Sequence, residues 1–344
     1  MKRINLNLSK RKWLLIISCI VCFILAISLD KTIEIYKNKL PHEKVALLWD
    51  PTGDTAHVSM YFTENEKTAL KQDLKNTEYM LESWYHSLAQ KLTEASLSQH
   101  GVKNANARNL VYGYHATGKV TLTYNKRNVE VNAYGVGGDF FQFHPVKLLR
   151  GGYFSQSDLM QDKVILDAET AWQLFGSYDV VGMYVTIQDI PHIVVGVYER
   201  ERSKLMDAAG NAASSVFVSH SSLAAYGSYN GLEGVEYLLP NPVSEFGKGL
   251  VTELAGQREV VVVEHQNRFG VIHLFKMIKQ LPTRSMQVKG VTYPYWENMA
   301  RSYEDLLARL FLLKMIFWIY LIIVLICVSW RAWLRRTWRA RYLY

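Results

Sequence analysis

The sequence has little cysteine, and none of it lies in the middle of the chain. Its three cysteines, Cys19, Cys22 and Cys327, all fall within two long apolar runs near the ends. The intervening segment therefore has no disulfide framework, which excludes the small disulfide-stabilised class of extracellular domain. At about 280 residues this segment is long enough to fold around its own hydrophobic core.

The middle of the chain also lacks a basic excess. The formal net charge of the whole chain is +8. Residues 31–309, however, hold 28 Lys and Arg against 30 Asp and Glu, a net charge of −2. The basic excess thus belongs to the two ends. A nucleic-acid-binding domain requires a basic face on the folded domain, so nucleic acid is not a predicted partner.

Motifs for catalysis or cofactor binding are missing as well. The middle segment has no H-E-x-x-H, G-x-S-x-G or S-x-x-K pattern, and its closest histidine pair, His265 and His273, is poorly spaced for a metal site on one helix. The glycines of 135–138 are interpreted as turn or bulge residues, and 200–204 as a solvated loop, with a partner contact as the alternative. We predict no catalytic, cofactor-binding or metal-binding residues, no cofactor and no enzyme activity.

Two apolar runs, 13–29 and 310–330, are the most prominent features that the sequence does contain. Each approaches the roughly 20 residues that span a bilayer as a helix. Basic residues precede the first run and follow the second, so the positive-inside rule predicts cytoplasmic segments at 1–12 and 331–344, with 30–309 extracytoplasmic. A cleaved signal peptide remains the alternative for the first run. Lys314, inside the second run, is interpreted as an interface lysine.

The segment after the first span begins with strand and helix signals. An alternating strand is predicted at 57–62, followed by a capping box in which Thr63 and Glu66 satisfy each other's amides. An apolar stripe then predicts one helix from about 64 to 97, ended by Gly101. Packing of this stripe against a sheet is favoured over a coiled-coil partner.

Strand patterns dominate from residue 109 onward. Hairpin strands are predicted over 109–136, with turns at 117–118 and 125–128. Within a second region, about 139–228, we predict a strand at 163–166 and a short helix that Asp167 caps and Gly176 ends. The remaining expected elements are a hairpin over 184–198, a soft loop near 208–213, and strands at 216–218 and 235–239.

A second strand-helix-strand unit completes the predicted fold. It consists of the strand at 235–239, a helix at 243–255 ended by Gly256, and a strand at 260–264. The fold class is α+β: a porter-like extracytoplasmic domain with an inserted mixed subdomain at about 139–228, flanked by two transmembrane helices. Helices are also expected at 269–281 and 295–309, the latter running straight into the second span.

Residues 135–200 resemble the MacB-like periplasmic core domain of the MacB/FtsX-like ABC transporter permeases. The resemblance depends on several short motifs taken together, which are Val136-Gly137-Gly138-Asp139-Phe140-Phe141, Leu148-Leu149-Arg150-Gly151-Gly152-Tyr153-Phe154 with Asp158, Val164, Leu166, Ala171, Leu174, Phe175 and Gly176, Asp179-Val180-Val181-Gly182, and Ile193-Val194-Val195-Gly196-Val197. Gly151, Phe154, Phe175, Gly182 and Gly196 are interpreted as turn and core residues.

The resemblance implies a membrane-anchored permease-like subunit that couples a separate ABC ATPase to extracytoplasmic substrate handling. Family permeases carry four spans, so this two-span chain looks like half of one, and a companion permease chain or a homodimer partner is expected. The sequence lacks a G-x-x-x-x-G-K-[ST] loop, which assigns ATP hydrolysis to another chain. The basic tail, 331–341, is expected to bind membrane lipid, with ATPase contact as the alternative. A stand-alone extracytoplasmic scaffold or ligand sensor remains the alternative function.

Overall fold

The computed structural model describes residues 10–37, 54–95, 110–155, 158, 160–266, 268–280 and 290–341. The chain divides into two compact units. We call residues 1–40, 269–283 and 303–344 the helical unit, and residues 41–268 and 284–302 the sheet unit. The sequence of 31–55 predicts a stalk and entry segment, most of which lies outside the described residues, as does Gly101.

The strands are β1 (Thr55–Phe62), β2 (Val111–Tyr124), β3 (Arg127–Gly138), β4 (Lys147–Gly151), β5 (Lys163–Asp167), β6 (Tyr184–Ile187), β7 (Ile190–Glu199), β8 (Ser215–Ser219), β9 (Ser228–Pro240) and β10 (Val260–Glu264). The helices are α1 (Lys10–Lys37), α2 (Glu64–Gln72), α3 (Leu74–Glu94), α4 (Phe140–Phe143), α5 (Ala168–Phe175), α6 (Lys204–Met206), α7 (His220–Tyr226), α8 (Phe246–Ala255), α9 (Val271–Gln280) and α10 (Tyr295–Arg341). A π-helical turn, Asp207–Asn211, follows α6, where the sequence predicts a soft loop.

Within the described residues the strands form one mixed sheet. Their order is β10-β1-β9-β2-β3-β8-β5-β7-β4, with β6 pairing β2 and β7. The pairs β3–β8 and β5–β7 are parallel, whereas the others are antiparallel. This mixed α/β architecture agrees with the predicted class, and the boundaries proposed for an inserted subdomain stay a prediction.

One face of β1 and β9 packs against α2, α3 and α8, as expected for a stripe that covers a sheet. The single helix predicted over 64–97 is wrong, because the chain breaks at Asp73, whose φ of −133° and ψ of 79° are not helical. The Asp73 carboxylate accepts from the amide of Asn76 at 3.0 Å and so starts α3. Only half of the expected capping box forms: Thr63 caps Glu66, while the Glu66 carboxylate pairs with Arg258.

A second core lies between the other half of the sheet and the helices α5 and α7. Asp167 caps α5 by accepting from the amide of Glu169 at 2.7 Å, and Gly176 ends this helix with a φ of +71°, as predicted. The turn predicted at 117–118 is wrong. These residues lie inside β2, where the pairing with β9 shifts register.

Among the described residues, two helices are long and apolar enough to cross a membrane. The candidate spans are Lys12–Lys37 and Tyr295–Trp338, and only 6% of the most apolar window of each is buried. Helix α10 is continuous through the segment expected at 295–309 and the second apolar run. Side chains exposed to this extent over such lengths suit a lipid environment, so the chain fits a membrane protein.

Candidate functional site

The second face of the sheet carries ionisable side chains that are buried. Along β1, Val58 and Met60 enter the apolar core, while the alternate residues His57 and Ser59 point to the opposite face. Such alternation is typical of a strand with one face in water. Here every residue of β1 is buried, so the polar side chains must be satisfied within the protein.

Glu236 of β9 is the centre of this polar face. One carboxylate oxygen lies 2.7 Å from Nε2 of His57 and the other lies 2.6 Å from Nε2 of His144. A third histidine, His115 of β2, places its Nδ1 3.9 Å from the same carboxylate. We call His57, His115, His144 and Glu236 the His–Glu cluster. Antiparallel pairing of β1 and β2 with β9 brings these distant positions together.

A second set of polar groups extends the cluster towards the start of α10. The Ser59 hydroxyl and Nε2 of His265 lie 2.7 Å apart. Arg268 contacts the Nδ1 of His265 at 3.2 Å and donates two hydrogen bonds, of 2.8 and 2.6 Å, to Glu297. Paired donation of this kind fixes both distance and orientation. It therefore fixes the first turn of α10 within the sheet unit.

The cluster holds a negative charge beside a neutral histidine. Burial acts to raise the pKa of Glu236, but the adjacent His144 and His57 outweigh it and hold this pKa well below its ordinary value. Burial lowers the pKa of His115 to about 3, against the opposing attraction of Glu236. Glu236 is thus ionised and His115 neutral near neutral pH.

The members of the His–Glu cluster are buried. Among the described residues, no group of three or more His, Cys, Asp or Glu side chains has metal-binding geometry. His57, His115 and Glu236 are each at most 1% exposed, so a substrate has no access to them. A small pocket beside the cluster is lined by Val136, Gly137, Gly138, Phe140, Phe141, Phe154 and Gln161, none of which is ionisable.

The residues that carry the family resemblance occupy turns, strands and core positions. Gly151 and Gly182 have φ values of +78° and +87°, which only glycine adopts readily. A Cβ at Gly196, within β7, would lie 2.7 Å from the carbonyl oxygen of Gly152. Phe154 and Phe175 pack at the edges of two buried clusters. They form no common site in the described part of the chain.

Sequence reasoning missed the His–Glu cluster because its members look scattered along the chain. The contact between His57 and Glu236 joins positions 179 residues apart. One local signal existed: the polar residues at alternate positions of β1, together with a glutamate inside the predicted strand 235–239. His265 belongs to the sheet unit and His273 to the helical unit, so the pair noted in the sequence does not form a site within either unit.

Helices α1 and α10 contact each other at polar and aromatic positions within the helical unit. Lys314 forms an ion pair with Asp30 at the end of the first apolar run. Deeper in the runs, the Ser18 and Tyr320 hydroxyls lie 2.8 Å apart and the rings of Phe23 and Trp318 meet edge to face at 6.1 Å. Lys314 was expected to be an interface lysine, and the structure supplies its acidic partner.

Comparison with known proteins finds a family model that matches the sequence, and related proteins that match shorter parts of it. Residues 53–261, more than half of the chain, match the model of the MacB-like periplasmic core domain. The macrolide export ATP-binding/permease protein MacB of Chromobacterium violaceum is 40% identical over 81 residues, which is 22% of this chain and 13% of that protein. MacB of Escherichia coli K12 is 36% identical over 85 residues, or 24% of this chain and 13% of that protein.

Two solved structures were also found. The periplasmic region of MacB from Actinobacillus actinomycetemcomitans has a TM-score of 0.40 and 14% identity, covering 70% of this chain and 97% of that chain. The extracellular domain of the noncanonic ABC-type transporter YknZ from Gram-positive bacteria has a TM-score of 0.36 and 14% identity. The match covers 61% of this chain and 99% of that chain. The matches to the curated MacB proteins span about an eighth of their length. On the match over residues 53–261, the chain belongs to the MacB-like periplasmic core domain family of ABC-type permease components.

Proposed function

We propose that this chain is a membrane-anchored, non-enzymatic subunit of an ABC-type transport or mechanotransmission system. Its sheet unit would handle substrate outside the membrane while a separate ATPase supplies energy from the cytoplasmic side. The observation that carries the proposal is the family match over 53–261 in a chain that also has a candidate span on each side of it.

Coupling would pass along α10. This helix starts at Tyr295, where Glu297 is held by the buried Arg268, and continues without a break to Arg341. A continuous helix rises about 1.5 Å per residue and resists bending. Movement imposed on its cytoplasmic end would therefore reach residues fixed within the sheet unit.

Co-purification tests this function. The tagged full chain is extracted from its native membranes in mild detergent, and the proteins recovered with it are identified by mass spectrometry. Recovery of an ABC ATPase, with or without a four-span permease, is the expected result. A chain that is recovered without either one contradicts the proposal and favours the scaffold or sensor function.

A matched variant tests how the ATPase is bound. Arg331, Arg335 and Arg336 follow the second apolar run and are exposed. If the basic tail binds membrane lipid, as we propose, the variant R331Q/R335Q/R336Q retains the ATPase. Loss of the ATPase from this variant alone would assign the contact to the tail.

A further inference from the structure

Helix α9 exposes apolar side chains although it lies within the helical unit. Val271, Ile272 and Phe275 are 61%, 76% and 50% exposed. Their spacing, with Phe275 one turn after Val271, places them on one side of the helix. An apolar helix face in contact with water is costly, at about 25 cal/mol for each Å² exposed, which indicates that something covers it.

The adjoining side of α9 is packed. Leu274 is buried and the partly buried Met277 and Ile278 lie beside it, against a cluster formed by Ile33, Tyr36, Phe269, Tyr303, Leu307, Ala308, Leu310, Phe311 and Met315. Nε2 of His273 also lies 3.4 Å from a carboxylate oxygen of Glu304. Helix α9 is thus held on α1 and α10, while Val271, Ile272 and Phe275 stay outside this cluster.

The contacts place α9 at the boundary of the hydrocarbon region. Asp30 and Lys314 form an ion pair where the first apolar run ends. Ile33 follows Asp30 by three residues and Phe311 precedes Lys314 by three, so both lie about 5 Å along their helices from that pair. An amphipathic helix that binds a membrane surface lies about 5–10 Å into the same boundary layer.

The charges around the exposed face suit an anionic surface. Each of Ile272 and Phe275 has a lysine one turn further along, Lys276 and Lys279, and Nζ of Lys279 lies 5.6 Å from the centre of the Phe275 ring. Lys31 of α1 and Arg309 of α10 are exposed as well. The exposed Glu34 of α1 offsets one of these positive charges. Lysines that flank an apolar face extend to the headgroups while their stems remain in the apolar layer.

We infer that α9 is a membrane-surface helix, whose Val271, Ile272 and Phe275 insert among the acyl chains while Lys276 and Lys279 bind anionic phospholipid headgroups. The helix would give the chain a third attachment to the bilayer, in addition to the two candidate spans. This attachment lies outside the family match at 53–261 and does not depend on the proposed transport function.

Site-specific spin labelling of the full chain tests the inference. Cys19, Cys22 and Cys327 are replaced by alanine, and one cysteine is introduced by Ile272→Cys or, as the matched control, by Val243→Cys, an aliphatic residue of the sheet unit that is 68% exposed. Each labelled chain is reconstituted in nanodiscs of phosphatidylcholine, with or without phosphatidylglycerol. Collision rates with oxygen, which concentrates in lipid, and with a water-soluble nickel chelate are then measured.

The label at 272 is expected to collide several-fold more with oxygen relative to nickel than the label at 243 does. Phosphatidylglycerol should raise this ratio further, and K276Q/K279Q should abolish the increase without altering the ratio in phosphatidylcholine. Equal ratios at 272 and 243 would overturn membrane insertion, and so would shielding from both reagents, which indicates a protein partner. An unchanged ratio with phosphatidylglycerol would overturn the anionic-lipid contact.

Discussion

At the scale of single residues, the His–Glu cluster is expected to be sensitive to substitution. A buried carboxylate is stable only where its partners offset the loss of hydration. Glu236 has two such partners, His57 and His144, at 2.7 and 2.6 Å. Removal of the charge leaves these groups without their partner in a site that water does not reach.

Glu236→Gln is therefore expected to destabilise the sheet unit by about 3 kcal/mol, the usual cost of breaking a buried charged pair. For a domain of this size that corresponds to a fall of about 10 °C in the midpoint of thermal unfolding. Circular dichroism of the full chain in detergent measures it. Glu130→Gln is the matched control, because Glu130 is 61% exposed where it pairs with Lys119 and exposed pairs contribute little. Equal midpoints for both variants would contradict the structural role of Glu236.

His115 predicts a loss of stability in acid. Its pKa is lowered to about 3 by burial, against about 6.5 in an unfolded chain, so between these values the unfolded state binds the additional proton. The stability that depends on neutral His115 is fully present above about pH 6.5. As the pH falls towards 3, the free energy of unfolding decreases by up to about 1.4 kcal/mol per pH unit. Depression of the pKa of Glu236 acts in the same direction, below about pH 4.5.

His115→Phe should reduce this pH dependence, since phenylalanine suits the aromatic surroundings of His115 and does not titrate. The free energy of unfolding, measured at several pH values between 6.5 and 4, should fall less steeply than in the parent chain. His86→Gln, at an exposed position of α3, should leave the slope unchanged. A slope that H115F does not alter would assign the acid sensitivity to other groups.

At the scale of elements, local capping decides where helices begin. Asp73 separates α2 from α3 because its side chain accepts from the amide of Asn76. Asp73→Ala is expected to cost about 1 kcal/mol, the typical value of an N-cap. Thermal unfolding measures the loss, and Asp73→Ser, which keeps an acceptor oxygen, should recover most of it. Equal losses in the two variants would show that the cap does not stabilise α3.

Signals of short range could be read from the sequence, and those of long range could not. The Asp167 cap and the Gly176 stop depend on neighbours within a few residues, and both are observed. The hairpin turn predicted at 125–128 is also local, and it is observed at 125–126. The break at Asp73 was hidden because the apolar stripe continues in phase across it. The His–Glu cluster depends on which strands pair, and the pairing of β1 with β9 follows from the whole topology.

At the scale of the whole molecule, the charge distribution predicts an orientation in the membrane. Both basic ends should be cytoplasmic and the sheet unit extracytoplasmic. In a chain without its native cysteines, Tyr79→Cys, at a residue of α3 that is 71% exposed, should react with a membrane-impermeant maleimide in intact spheroplasts. Trp338→Cys, near the end of α10, should react only after permeabilisation. The reverse pattern would contradict the orientation.

The long strands β2 and β9 have one more consequence for the molecule as a whole. Each contributes side chains to both hydrophobic cores: Tyr114 and Leu232 to the first, Leu122 and Tyr229 to the second. Because both cores contain side chains of β2 and β9, unfolding of one core would disrupt strands on which the other depends. The sheet unit should consequently open as a single cooperative block, with the amide protons of β2 and β9 the last to exchange with solvent.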